Sequence, residues 1–410
     1  MNLSAEAGRK GPDIRSDCWI KITLTNSGGI QFEKESKVNA LYGAAIDELI
    51  VTGLTFFEIE HAQIELIDSG ALPFVIMARL ETAVRRLKKD RGKQWLPELK
   101  EFCRYETTRD RFRRSRLYLP GNEPKFMINA GLHKPDGIIL DLEDSVAPGE
   151  KDAAQCLVRN ALRQLNFYGA ERMVRINQIP RGLEDLIYLI PHHVHTILIP
   201  KCETAEQVHA VADAVDKIRI EHHLSAPIFF MPIIESALGA INAYPIATAS
   251  ANNVALAIGL EDYTADIGTQ RTSEGRESFW ARCQIVNAAR AAGIQPIDTV
   301  FSDVTDMDGL RQSVLEARAL GFDGKGCIHP RQIPVIHEAF APTQEEIDKA
   351  RKIVLAFEAA QSQGLSVVSL GSKMIDPPVV KRAQRTIQLA IDSGKLASNW
   401  RQGGAAYDQN

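Results

Sequence analysis

Beyond Arg116, short apolar runs alternate with stretches of helical periodicity: RLYLPG, GIILDLED, MVRINQ, TILIPKCE, IFFMPIIE, VALAIGLED, PIDTVFSD and GKGCIHP. Strands apolar on both faces, separated by helices, are the pattern of a parallel sheet covered on both sides. Eight such units predict closure into a (β/α)8 barrel, an α/β fold, although an open doubly wound sheet has the same periodicity. No GxGxxG follows an early strand, which weakens the dinucleotide-binding form of that alternative.

Ahead of these units the pattern differs. Cys18–Leu24 and Gly29–Phe32 alternate like half-buried strands around the turn Asn26-Ser27-Gly28-Gly29, and residues 38–51 place Leu41, Ala45 and Leu49 on one helical face. Ala62–Ile67 and Pro73–Ala78 flank Asp68-Ser69-Gly70, which reads as a second hairpin. The predicted organisation is a flexible N-terminus (1–16), a compact α+β domain (17–87), a charged linker (88–113), the barrel (114–345) and C-terminal helices forming a lid (346–410). The charged stretch reads as a solvated connection or as a basic rim attracting phosphate.

Charge changes this picture little. With 48 basic and 52 acidic residues the net charge is −4, so nothing attracts nucleic acid or an anionic membrane. The six cysteines are scattered without a CxxC pair, which argues against a disulfide framework or structural zinc. The N-terminal residues contain no apolar core of a signal peptide, and no run is long enough to span a bilayer. A reduced, cytoplasmic protein is expected.

The strand ends carry the chemistry. Nearly every run finishes in a polar group: Asp141, Glu143 and Asp144; Arg175 and Asn177; Lys201 and Glu203; Glu235; Glu261 and Asp262; Asp298 and Asp303; His329. In a barrel these meet on the carboxyl-end face, where active sites form. Glu235 and Asp262 end neighbouring strands and are placed to share a hard cation. Mg²⁺ typically takes one or two protein carboxylates and keeps several waters; pairing with rim Arg or Lys is the other reading. Arg175, inside an apolar strand, needs a partner or a ligand, and an ion pair with Asp141 or Glu143 is compatible with both. Gly121 marks either a close backbone approach or an ordinary turn. His329 suits acid–base work or, more simply, a cap before a helix.

Taken in order, RRSRLYLPGN, DGIILDLEDSV, VRINQ, IPKCE, PIIESALG, IGLEDYTADIG, GKGCIHPRQ and SKMIDPPVVKRA resemble the citrate lyase β-subunit family, within the wider HpcH/HpaI aldolases and malyl-CoA lyases, over roughly residues 114–395. The resemblance implies a barrel holding Mg²⁺ through Glu235 and Asp262. It implies substrate binding by Arg175, Lys201, Gly121, Asn122 and Gly259, with Glu143 and Asp144 orienting waters on the metal. Asp376 would be the acid–base group, delivered by a neighbouring subunit of a trimer or hexamer. The implied reaction is retro-Claisen cleavage of a 3-hydroxy-3-carboxyacyl CoA thioester. A malyl- or citramalyl-CoA lyase, a thioesterase and a non-catalytic assembly module are the alternatives. Cys202 replaces the family's usual threonine or valine beside Lys201.

Residues 15–87, with SDCWIKI, a YG-containing helix and DSGALPFVIMARLE, resemble the citrate lyase γ subunit, an acyl carrier protein. This implies a phosphoribosyl-dephospho-CoA arm and a citrate lyase α-type partner. The serine that takes the arm in such carriers aligns with Arg15, which cannot form the phosphodiester. Either Ser16 takes the arm after a one-residue shift, or the domain is a carrier relic with a structural or docking role.

Overall fold

The computed structural model describes residues 3–89, 92–362, 368–370 and 373–401. The chain divides into two compact units, Met1–Ile333 and Pro334–Asn410. The first holds a small sheet domain and a closed barrel.

The sheet domain contains β1 (Ser4–Gly8), β2 (Cys18–Leu24), β3 (Ile30–Ser36), α1 (Asn39–Phe56), β4 (Ala62–Asp68) and α2 (Pro73–Lys88), with strand order β1-β2-β4-β3. Neither predicted hairpin forms. β4 lies between β2 and β3, antiparallel to the first and parallel to the second, because α1 carries the chain over the sheet between β3 and β4 as parallel pairing requires. The run from Pro73, read as a strand, opens α2 with proline at its first turn. That run is apolar on every side since α2 is buried almost throughout, and a short run apolar all round does not distinguish strand from helix. Ile20, Ile22, Ile50, Leu54, Ile64, Leu66 and Leu80 form the core. Ser4–Gly8, expected to be flexible, pairs with β2 as an edge strand.

The expected linker is solvated over much of its length, with more than half of its described residues exposed, but it is anchored at a few buried points. Trp95, Cys103 and Arg113 are buried. Its arginines are committed: Arg113 to Glu171 at 2.7 Å, Arg114 to Asp136 at 2.8 Å, and Arg111 to the carbonyls of Asp136 and Gly169. The basic-rim reading therefore fails for these three, whose charge is spent under the barrel. Residues 90 and 91 lie outside the described residues.

Eight parallel strands close the barrel in chain order: β5 (Ser115–Pro120), β6 (Gly137–Asp141), β7 (Glu171–Arg175), β8 (Thr196–Ile199), β9 (Phe229–Ile234), β10 (Ala255–Ile258), β11 (Gln295–Asp298) and β12 (Gly324–Cys327), the last pairing with the first. Each overlaps one of the apolar runs of the sequence. Ile139, Met173, Leu198, Met231, Ile233 and Ile297 fill the interior, so the barrel is a packed core with its chemistry on the rim.

The second unit is built around the helices Gln344–Gln361 and Pro377–Asp392, with the short pair β13 (Val368–Leu370) and β14 (Lys373–Ile375) between them. Ile353, Val354, Ile375, Val380, Ile387 and Trp400 are its core. Ser372 of the SKMID motif and residues 402–410 of the expected lid lie outside the described residues. No helix among the described residues is long and apolar enough to cross a membrane.

Candidate active site

A cleft of about 500 Å³ opens at the carboxyl ends of the barrel strands. Tyr118, Asp141, Asp144, Arg175, Glu235, Gly259, Glu261 and Asp262 contribute to its lining. Glu235 directly follows β9, and Asp262 lies in the first turn of the helix Leu260–Asp266 that follows β10. One turn of helix rather than a strand end therefore presents Asp262.

Glu235 is buried, and its Oε2 accepts the Lys201 amide at 2.8 Å. Burial pushes its carboxyl up to about 7 against the opposing pull of that amide and of Arg175, with Glu143 and Asp262 adding repulsion. Gly259 lets the Glu235 side chain lie against its backbone: a Cβ there would meet Glu235 Oε1 at 2.5 Å and force it to shift. Lys201 adopts a left-handed backbone, φ 46°, a conformation uncommon for a side-chain-bearing residue and characteristic of functional sites. This bend aims its amide at Glu235 and its ammonium at other carboxylates. Nζ stands 3.3 Å from Glu143, 3.4 Å from Asp144 and 3.5 Å from Asp262. Burial works against the charge, but these three carboxylates outweigh it and hold the ammonium above its ordinary range.

Arg175, at the end of β7, forks onto Asp141 with Nε at 2.6 Å and Nη2 at 2.8 Å, while Nη1 reaches Glu143 at 2.9 Å. The ion pairs predicted for it with Asp141 and Glu143 are both present. Asp141 is held below the usual carboxylate range, the arginine overcoming burial, whereas burial pushes Glu143 up. Gly121 lies at a close approach: a Cβ would meet the Asp141 carbonyl at 2.4 Å, and the Gly121 amide donates to that carbonyl at 2.7 Å. Asn122 beside it is buried.

Not every polar strand end joins the cleft's charge cluster. Asn177 bonds Asp185, Glu203 accepts Ser236, and Asp303 organises its own turn through Thr305. Asp298 does line the cleft, but its carboxylate is buried against Lys325 at 2.8 Å and Arg282 at 3.2 Å. His329 accepts the Arg331 amide at 3.1 Å just before a helix, the simpler of its two readings. Asp376 belongs to the second unit, where it is half-buried and caps the helix Pro377–Asp392 by accepting the Val379 amide at 3.1 Å. Ser16 is half-buried at φ 57°, with its amide on the Ser69 carbonyl at 3.0 Å; Arg15 is exposed.

Sequence reading missed the cleft's floor. Arg116 and Tyr118, alternate residues of β5, both line it. Arg116 is buried, and its contacts are the Met231 sulfur at 3.1 Å and the Asp298 carbonyl at 3.3 Å. The signal was a charge two positions from a tyrosine in an otherwise apolar strand, which puts both on one face.

The rim suits a hard divalent cation. Its donors are carboxylate oxygens, Glu143, Asp144, Glu235 and Asp262, and the Lys201 ammonium already occupies a cation's position among three of them. Among the described residues no three His, Cys, Asp or Glu side chains form a ready cage; a Mg²⁺ ion that keeps its waters needs only one or two carboxylates.

A (β/α)8 barrel with convergent carboxylates on its strand ends defines the class, and comparison with known proteins supplies the family. Residues 114–330 match the family described as HpcH/HpaI aldolase/citrate lyase, and residues 11–87 match an acyl carrier protein family described as malonate decarboxylase delta subunit (MdcD). The citrate lyase subunit beta of Leuconostoc mesenteroides subsp. cremoris is 40% identical over 286 residues, 68% of this chain and 94% of that protein. Human mitochondrial citramalyl-CoA lyase is 34% identical over 291 residues, covering 68% and 85%. The structure of CitE from Mycobacterium tuberculosis in complex with magnesium, acetoacetate and coenzyme A is similar at 31% identity and a TM-score of 0.57, over 69% of this chain and 99% of that one. The chain belongs to the HpcH/HpaI aldolase/citrate lyase family as an oxo-acid lyase of citrate lyase β type, with an acyl-carrier-like domain in front.

Proposed function

We propose that this protein cleaves the carbon–carbon bond of a 3-hydroxy-3-carboxyacyl thioester, of the citryl-CoA or citryl-carrier type, giving an oxo acid and an acyl thioester by retro-Claisen chemistry. The observation that carries this reading is the buried Glu235, which faces the same cleft as Asp262 and Arg175 and repels both Glu143 and Asp262. Glu235 and Asp262 would hold Mg²⁺, with Glu143 and Asp144 orienting its waters. When bound, the ion supplies positive charge against the negative charge that develops on the substrate's hydroxyl oxygen.

The remaining roles fall to the chain itself. Arg175, fixed by its fork on Asp141, offers Nη1 to the substrate carboxylate and sets the orientation of the breaking bond. Lys201, shared among three carboxylates, keeps the acidic rim neutral enough to admit an anionic substrate. Gly121, Asn122 and Gly259 border the substrate. As the bond breaks, the hydroxyl proton must leave and the thioester enolate carbon must gain one; both transfers are assigned to Asp376, whose carboxylate would take the first proton and return it to the enolate carbon. By the resemblance Asp376 would enter the site of a neighbouring subunit, and an oligomer would then be the working form.

The test is a panel of citryl, citramalyl and malyl thioesters assayed with and without Mg²⁺. Mg²⁺-dependent release of an oxo acid from the citryl thioester supports the proposal. Preference for citramalyl or malyl thioester moves the protein within its family, and hydrolysis without C–C cleavage overturns the lyase reading. Loss of turnover without loss of metal binding is expected for Asp376→Asn, and normal turnover would remove it from the mechanism.

A further inference from the structure

The acyl-carrier-like domain is joined to the barrel by buried charge, and the contact reaches the loop after β5. Along α2, Glu81 receives Arg159 of the barrel helix Lys151–Gln164 through Nη1 at 2.7 Å and Nη2 at 2.8 Å, with every group buried. Arg85 pairs with the same glutamate. The Asn160 side chain donates from Nδ2 to the Phe74 carbonyl at 3.0 Å, and Arg86 forks onto Asp152 at 2.8 and 2.7 Å. A domain that swings between partners does not bury a carboxylate against two guanidinium groups, because each excursion would expose or strand them.

One contact goes further. Arg79 of α2 is buried and forks onto Asp17, Nε at 2.9 Å and Nη2 at 2.8 Å, and the same Nη2 donates to the Asn122 carbonyl at 3.0 Å. Arg9, in the segment after β1, pairs with Glu123. Two arginines of the small domain thus grip consecutive residues of the loop whose preceding strand, β5, lines the cleft with Tyr118, Leu119 and Pro120.

We infer that Arg79 is a positioning residue for the lyase: held by Asp17, it fixes the Asn122–Glu123 loop, so the carrier-like domain acts as a fixed brace of the active-site rim. The catalytic half of this inference rests on the function proposed above; the structural half does not. Arg79→Lys retains the buried charge beside Asp17 but replaces the planar fork, which reaches two acceptors at once, by a single ammonium.

In the full-length protein, amide exchange across residues 121–126 should quicken about 10- to 100-fold in Arg79→Lys, as expected for losing a charge-assisted hydrogen bond. Exchange in β2 and β4 should stay as in the parent. KM for the cleaved thioester should rise about tenfold, with kcat and Mg²⁺ affinity changing less than about twofold. Arg9→Ala, at a partly exposed position, should give the same pattern at smaller size. Unchanged exchange at 121–126 in Arg79→Lys, or uniform loss of protection across both domains, overturns the brace. If the parent cleaves no thioester, the functional proposal fails while the exchange measurement still decides the brace.

Discussion

Two regions of this molecule are built from the same residue types and use them in opposite ways. Between the small domain and the barrel, Glu81 meets Arg159 and Arg85, and Asp17 meets Arg79, all buried. At the barrel rim, Glu143, Asp144 and Asp262 share Arg175 and Lys201, Arg175 is already committed to Asp141, and Glu235 accepts the Lys201 main-chain amide. The interface has cations enough for its carboxylates and the rim does not. Matched burial of charge fixes two bodies together; a surplus of one sign on a concave face calls for a partner of the other.

The largest effect expected is at the rim. Glu235→Ala or Asp262→Ala should lower Mg²⁺-dependent turnover by about 10³-fold or more, consistent with several kcal/mol of charge stabilisation, while circular dichroism and the melting transition stay near the parent's. Activity retained in either variant would make the rim carboxylates structural, like those of the interface.

Next comes the interface itself. Glu81→Gln leaves Arg159 and Arg85 buried without an anion and should cost about 3–5 kcal/mol, read from urea unfolding. A cost within about 0.5 kcal/mol, typical of surface changes, would show that the interface is not held by this charge.

Gly259→Ala sharpens the contrast without touching any charge. Its methyl group would meet Glu235 Oε1 at 2.5 Å and must displace the carboxylate. Mg²⁺ affinity, measured by calorimetry, should fall about 10- to 100-fold, as when a group that orients a metal ligand is lost. Unchanged affinity would separate Glu235 from the metal.

The smallest effect concerns the barrel's lower half. His195 takes the Arg172 amide on Nδ1 at 3.1 Å and faces the Tyr105 carbonyl through Nε2 at 2.9 Å, so the neutral tautomer carries its proton on Nε2. Burial pushes it down from 6.5 to about 4. The unfolded chain therefore binds the extra proton first: stability is complete above pH 6.5 and declines as pH falls toward about 4, by at most roughly 1.4 kcal/mol per pH unit. Urea unfolding at pH 7.5, 6.5 and 5.5 should show this slope, and His195→Asn should reduce it.

How far the sequence reached follows the same division. The barrel was legible because eight short, largely apolar runs alternate with helical stretches and nearly every one finishes in a polar group, a local signal repeated along the chain. Glu235, Asp262 and Arg175 were legible for the same reason. In the small domain three strands, the first helix and the carrier resemblance were legible, but the strand order was not, since it depends on β4 inserting between β2 and β3, a long-range choice that alternation does not encode. The start of α2 carries no local mark that separates it from a strand, because its outer face, which an isolated domain would expose to water, is covered by the barrel. Arg79, Glu81 and Arg159 sit in ordinary helical sequence, and their partners lie 62 and 78 positions away. Arg116 went unnoticed because an inward-facing charge in a barrel strand reads as a boundary residue until its neighbours are seen.

The most direct test of the central claim is the release of oxo acid from a citryl thioester, followed with the parent protein and Glu235→Ala, with Mg²⁺ and after its removal by chelation. The account predicts turnover in the parent with Mg²⁺, none after chelation, recovery on adding the ion back, and none in the variant under any condition. Turnover that survives both chelation and loss of the Glu235 carboxylate would contradict it.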